Sequence, residues 1–136
     1  MKQNARDEIK YWKSELKLYN LFVRKIETIT LELEAVAVNI QGIRSPSNHG
    51  VVKIENHSFN SNRILELMYE EESLVKERAH YQERKDSVDE LLDSMEEEIK
   101  NILIDVYIRN MSYDAAANKY SISRRNLFYK INKNLQ

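Results

Sequence analysis

The sequence predicts an all-α protein: a long N-terminal helical hairpin followed by a C-terminal helix-turn-helix module. Three observations carry that expectation. The 136-residue chain has two glycines and one proline, too few for the turns that an all-β fold consumes. Apolar residues recur at spacings of three and four along most of its length. The last 25 residues, from Ser112, run as a helix cap, a small-residue helix, a turn, a second cap and a basic helix.

Composition sets outer bounds. A hydrophobic content of 42% with 32% charged residues excludes general disorder. With no cysteine there are no disulfides and no thiolate chemistry, which fits a reducing compartment. The longest aliphatic run, Ala35-Val36-Ala37-Val38, is far too short to span a bilayer, and the N-terminus lacks the apolar stretch of a signal peptide. A soluble, cytoplasmic protein with no membrane partner is expected. The net charge of -1 hides a segregation: residues 1–61 hold nine Lys/Arg and seven Asp/Glu, residues 62–98 five and thirteen, residues 99–136 seven and two. An acidic middle beside a basic end gives each region its own field.

The first helix is expected over about Asn4 to Gln41. Ile9, Leu16, Val23, Thr30 and Ala37 fall seven apart, with Trp12, Tyr19, Ile26, Leu33 and Ile40 three residues after each. This is an a/d seam, broken at Thr30 and weak at Ala37, to be buried against the same chain or another subunit. A loop is expected near 42–61, where Gly42, Pro46, Gly50 and several serines and asparagines gather. A short extended piece at Val51–Ile54 fits the pattern weakly. The second helix is expected to start under an asparagine cap at Asn60 or Asn62 and to carry a broken apolar stripe from Ile64 to Met95. The third begins near Asp93-Ser94, with Glu96, Glu97 and Glu98 favourably placed in its first turn. Residues 1–92 are thus expected to serve oligomerisation or partner binding, and residues 93–136 to form the terminal module.

In that module Ser112 caps a short helix reaching Lys119. Ala117 is the small residue that a closely crossing second helix requires. Tyr120-Ser121-Ile122 supplies the turn and Ser123 the next cap, while Leu127, Ile131 and Leu135 give the second helix a buried face. The helix over 123–135 is then a reading helix for the major groove of double-stranded DNA. Arg124, Arg125 and Tyr129 are expected to meet base edges, arginine suiting the paired acceptors of guanine. Ser112, Asn126, Lys130, Asn132 and Lys133 are expected to meet the DNA backbone. Phe128 is expected either on the core edge or outside. From Asn118 to Gln136 there are five basic residues and no acidic one.

The stretch from Glu97 to Leu135 resembles region 4 of bacterial sigma factors: an apolar helix ending in Val106-Tyr107, then Ser112, Ala117, Ser121-Ile122-Ser123 and Leu127. The whole layout, with a loop reading Ile43-Arg44-Ser45-Pro46-Ser47-Asn48, is similar to small phage late-gene transcription regulators of Gram-positive bacteria, the ArpU/RinA type. Ala115-Ala116 stand where a glutamate–isoleucine pair is common, and Ser121 where glycine is. The resemblance implies a sequence-specific activator of phage packaging or structural genes that touches host RNA polymerase.

Other chemistry finds little footing. His49, His57 and His80 have no partner at ligand spacing, so no metal or cofactor is expected. No glycine-rich phosphate loop and no nucleophile–base pair is present, so no enzymatic role is expected. Five cations bind duplex weakly at physiological salt, so a homo-oligomer, most simply a dimer through the long helices, is expected to supply a second contact. The acidic second helix should face away from DNA. The alternatives are a small terminase subunit marking viral DNA for packaging, and a structural helical adaptor.

Overall fold

In a computed structural model the described residues are 2–44 and 54–136, with side chains described for 4–43 and 61–136. All the regular structure among them is helical: α1 (Lys2–Lys17), α2 (Tyr19–Arg44), α3 (Ile54–Asp93), α4 (Glu97–Leu103) running on into a π-helical turn (Ile104–Ile108), α5 (Tyr113–Lys119) and α6 (Arg124–Asn134). No helix here is long and apolar enough to cross a membrane. The absence of glycine and proline after Gly50 removes the cheapest helix breakers from the remaining 86 residues.

Several boundaries differ from those expected. The first long helix is interrupted at Leu18, although backbone bonds from Leu18 N to Ser14 O (3.1 Å) and from Phe22 N to Leu18 O (3.0 Å) carry the ladder through. Helix occupies both ends of the expected loop at 42–61: α2 runs to Arg44 and α3 starts at Ile54, so Asn60 and Asn62 lie inside a helix rather than capping it, and residues 45–53 lie outside the described residues. Of the extended piece at Val51–Ile54, Ile54 is helical and the rest lies outside the described residues. Ser94 does not cap the third helix. Its hydroxyl donates to Leu91 O (2.7 Å) and so finishes α3, while Glu96, in extended backbone, precedes α4.

The chain divides into two compact units, Met1–Val23 with Glu83–Gln136, and Arg24–Gln82. This division does not follow the boundary near residue 92, because α1 packs with the C-terminal third rather than apart from it. In the first unit Leu16 joins Val88, Leu92, Ile99, Ile102, Leu103, Val106 and Tyr107, together with Ala116, Ala117, Leu127, Ile131 and Leu135, in one buried cluster. Ile9, Trp12 and Tyr19 flank it at helical spacing. Around its edge, Arg84 makes a paired contact to Glu15 (2.9 and 3.2 Å) and lies over the Phe22 ring (4.5 Å), and Tyr19 donates to Asp89 (2.8 Å).

In the second unit the buried apolar side chains, among those described, are Ile29 and Val36 of α2 and Leu67 of α3. The seam on α2 therefore differs from the sequence reading. Phe22, Ile29 and Val36, seven apart, are the buried set, with half-buried Ile26, Leu33 and Ile40 four residues after each. Stepping the register by one residue exchanges the two weak positions, Thr30 and Ala37, for isoleucine and valine. Thr30 turns its hydroxyl back to Ile26 O (2.7 Å) and accepts from Arg78 (3.3 Å).

Candidate nucleic-acid interface

The terminal module is built from its caps outward. Ser112 Oγ accepts from Ala115 N (3.1 Å) at the start of α5, and Ser123 Oγ from Asn126 N (3.1 Å) at the start of α6. Each satisfies a backbone donor that the first helical turn leaves free. Ala116 and Ala117 are buried, as close helix crossing demands. Between the helices Ser121 takes φ 56°, the left-handed region where glycine is favoured, and so allows Ile122 N to reach Ala117 O (3.0 Å). A second left-handed residue, Asn110 (φ 59°), turns the chain from the π-helical segment into α5.

Behind this turn lies a residue that the sequence reading passed over. Asp105 is 1% exposed and accepts from Tyr120 OH (2.6 Å), Lys119 Nζ (2.7 Å) and Arg109 Nη1 (3.1 Å). One carboxylate thus ties the helix before α5 to the last residues of α5 and the first of the turn. The π-helical geometry, with Arg109 N bonded to Ile104 O (2.8 Å), belongs to the same segment. Burial opposes ionisation of Asp105, but the bonds from Lys119 and Tyr120 and the charges of Lys119 and Arg109 outweigh it and hold the carboxyl below its ordinary range. The Tyr120 hydroxyl is pushed up to about 12 by burial and by its bond to Asp105. A signal did exist in the sequence: Asp105 is the lone charge inside Ile102–Ile108. Arg109 stands at helical spacing, four residues on, but Lys119 and Tyr120, fourteen and fifteen residues on, lie beyond the end of that helix.

Leu127, Ile131 and Leu135 are buried, as expected, and this sets the azimuth of every other residue on α6. The three residues expected to meet bases fall on two rows. Arg125, Tyr129 and Lys133 recur every fourth residue on the outward side. Tyr129 is 62% exposed, with Lys133 Nζ 5.8 Å from its ring centre. Arg124 is exposed but stands in the adjoining row beside α5, 3.8 Å from Asp114 and over the Phe128 ring (5.6 Å). Phe128 is half-buried and packs on Tyr113 at 4.6 Å, the core-edge alternative.

The residues expected to meet the backbone are also divided. Asn126 and Lys133 are exposed. The Ser112 hydroxyl oxygen already serves its own cap. Lys130 is half-buried and pairs with Glu98 (3.6 Å). Asn132 is half-buried, and its Oδ1 is enclosed with no hydrogen-bond partner among the described residues. A cleft of about 470 Å³ lies beside this flank, lined by Met95, Glu96 and Glu98 facing Tyr129, Lys130 and Lys133. Its carboxylates repel phosphate, so a polyanion is best received at the Arg124–Arg125 end of the helix.

Among the described residues no cluster of His, Asp or Glu is arranged to hold a metal ion. His80 packs edge-on against Tyr81 (5.5 Å), and the side chains of His49 and His57 lie outside those described. No protein-family model, no curated protein and no solved structure matches this chain.

Proposed function

We propose that this protein is a sequence-specific transcription regulator that binds double-stranded DNA, with α6 as the helix that reads the major groove. The observation that carries the proposal is the outward row Arg125, Tyr129 and Lys133, backed by buried Leu127, Ile131 and Leu135 on a helix without a single acidic residue. Arginine at the N-terminal end of such a helix is the commonest donor to guanine. Arg124, held beside α5, is positioned for a phosphate or a flanking base. The resemblance to ArpU/RinA-type regulators extends the proposal to activation of phage late genes in a bacterial cytoplasm, through contact with host RNA polymerase.

One such module binds weakly, so the proposal includes a homodimer. Exposed Leu31 and Val38 on α2 and Leu65, Met68, Tyr69 and Val75 on α3 offer apolar surface for it. Sedimentation at tens of micromolar should give twice the chain mass; a monomer would remove the dimer from the proposal.

The function itself is tested by selecting bound duplexes from a random pool and from sheared bacterial and phage DNA. A recurring short sequence is the expected result. Retention of no duplex, or retention without enrichment, would overturn sequence-specific reading.

A further inference from the structure

We propose that α1 is a second DNA-contacting element, a phosphate-binding rail that extends the interface beyond α5 and α6; this inference rests on the duplex-binding reading above. Arg6, Lys10, Lys13 and Lys17 stand at spacings of four, three and four. At 3.6 residues per turn they lie within about 40° of one line along the helix. Arg6, Lys10 and Lys17 are exposed and Lys13 is half-buried. None of the four has an ion-pair partner among the described residues, whereas Arg84, Lys85, Lys100, Arg109, Lys119, Arg124 and Lys130 of the same unit all do. The acidic residues of α1 leave the rail clear. Asp7 is about 100° away, Glu8 and Glu15 roughly opposite, and Glu15 is occupied by Arg84.

The rail is continuous with the terminal module. Lys17 lines a cleft of about 260 Å³ with Asn110, Ser112 and Tyr113, at the start of α5. Tyr113 stacks on Phe128 of α6, over which Arg124 lies. The four unpaired cations of α1 thus lead past the start of α5 toward Arg124 at the basic end of α6. Its length from Arg6 to Lys17 is about 16 Å, the axial length of roughly five nucleotides of one strand. Long flexible lysines without a rigid acceptor geometry suit a row of phosphates and not the edges of particular bases.

The test uses the full chain, the triple variant Lys10→Gln, Lys13→Gln, Lys17→Gln, and the double variant Arg125→Ala, Tyr129→Ala. Glutamine keeps helix propensity and most of each stem, and unchanged thermal unfolding checks the fold. Each protein is titrated with a selected duplex, a random duplex and vesicles containing phosphatidylserine, over a range of salt. The rail predicts that the triple variant loses affinity for both duplexes equally, by up to about fivefold per lysine near 0.15 M salt, and that its salt slope flattens by up to roughly 0.9 per lysine. Preference for the selected duplex stays intact. A triple variant as tight as the parent, while the double variant loses preference, would overturn the rail and leave the reading helix standing. If neither variant changes duplex binding, both fall. Loss confined to the vesicles would assign the stripe to a lipid surface instead.

Discussion

The two units spend their apolar residues differently. The unit formed by Met1–Val23 and Glu83–Gln136 gathers thirteen buried side chains into one cluster, and its exposed large apolar side chains, among those described, are Tyr11 and Tyr129. In Arg24–Gln82 the described buried set is Ile29, Val36 and Leu67, while Leu31, Val38, Leu65, Met68, Tyr69 and Val75 face outward. The first arrangement fixes the rotation of a short helix to within one residue position. The second leaves two long helices to rest on local propensity and on ion pairs along α3, such as Lys76–Glu72 (3.2 Å), each worth a few tenths of a kcal/mol. A helix that must present Arg125 and Tyr129 outward needs the first kind of support.

That contrast can be broken most forcefully at the α6 anchor. Leu127→Ala should cost about 2–5 kcal/mol of unfolding free energy, measured by denaturant titration, while Leu31→Ala should change the monomer by no more than about 0.5 kcal/mol. Equal effects would dissolve the distinction between the units. Native-state hydrogen exchange sharpens it further: amides of Ile29–Val36 should open at lower free energy than those of Ile99–Val106.

Next in size is Asp105→Asn, expected to cost about 1–3 kcal/mol because three donors lose a charged acceptor. The carboxyl is held below its ordinary value when folded. Its stabilisation is therefore complete above the ordinary carboxylate range, near pH 4, and is lost as pH falls through the lower folded value. The variant should lose that part of the acid sensitivity. At the alkaline end Tyr120, raised when folded, stabilises fully below about pH 10, and that contribution disappears as pH rises through about 12. Tyr120→Phe should flatten this limb in thermal melts recorded against pH.

Removing the cap with Ser123→Ala should cost about 1 kcal/mol. The smallest effect is expected from Glu98→Gln. It releases Lys130 from a partly exposed ion pair and should tighten duplex binding by about 0.2–1 kcal/mol. Weaker binding would mean that Glu98 is not competing with phosphate.

The all-helical class was legible because glycine and proline are nearly absent, and the caps Ser112 and Ser123 were legible because each stands directly before its helix. The α2 seam was harder to read. A break at Thr30 and a weak Ala37 are the marks of a stripe that has changed register, yet each alone passes for tolerated irregularity. The interruption at Leu18 has no breaker residue to announce it. The left-handed turns at Asn110 and Ser121 lack the glycine that would advertise them. The Asp105 cluster and the cationic row on α1 stayed hidden for different reasons. Of the contacts of Asp105, those to Lys119 and Tyr120 are set by tertiary approach and not by helical period, and the spacing of Arg6, Lys10, Lys13 and Lys17 was masked by the apolar seam sharing the same helix.

The most direct test of the central claim is a paired titration of a selected duplex and a random duplex with the parent protein and with Arg125→Ala, Tyr129→Ala. Both side chains are exposed, so thermal unfolding should be unchanged. Preference for the selected sequence should fall by about 1–3 kcal/mol for each base contact removed. Preference retained in full by a folded double variant would show that this face of α6 does not read DNA.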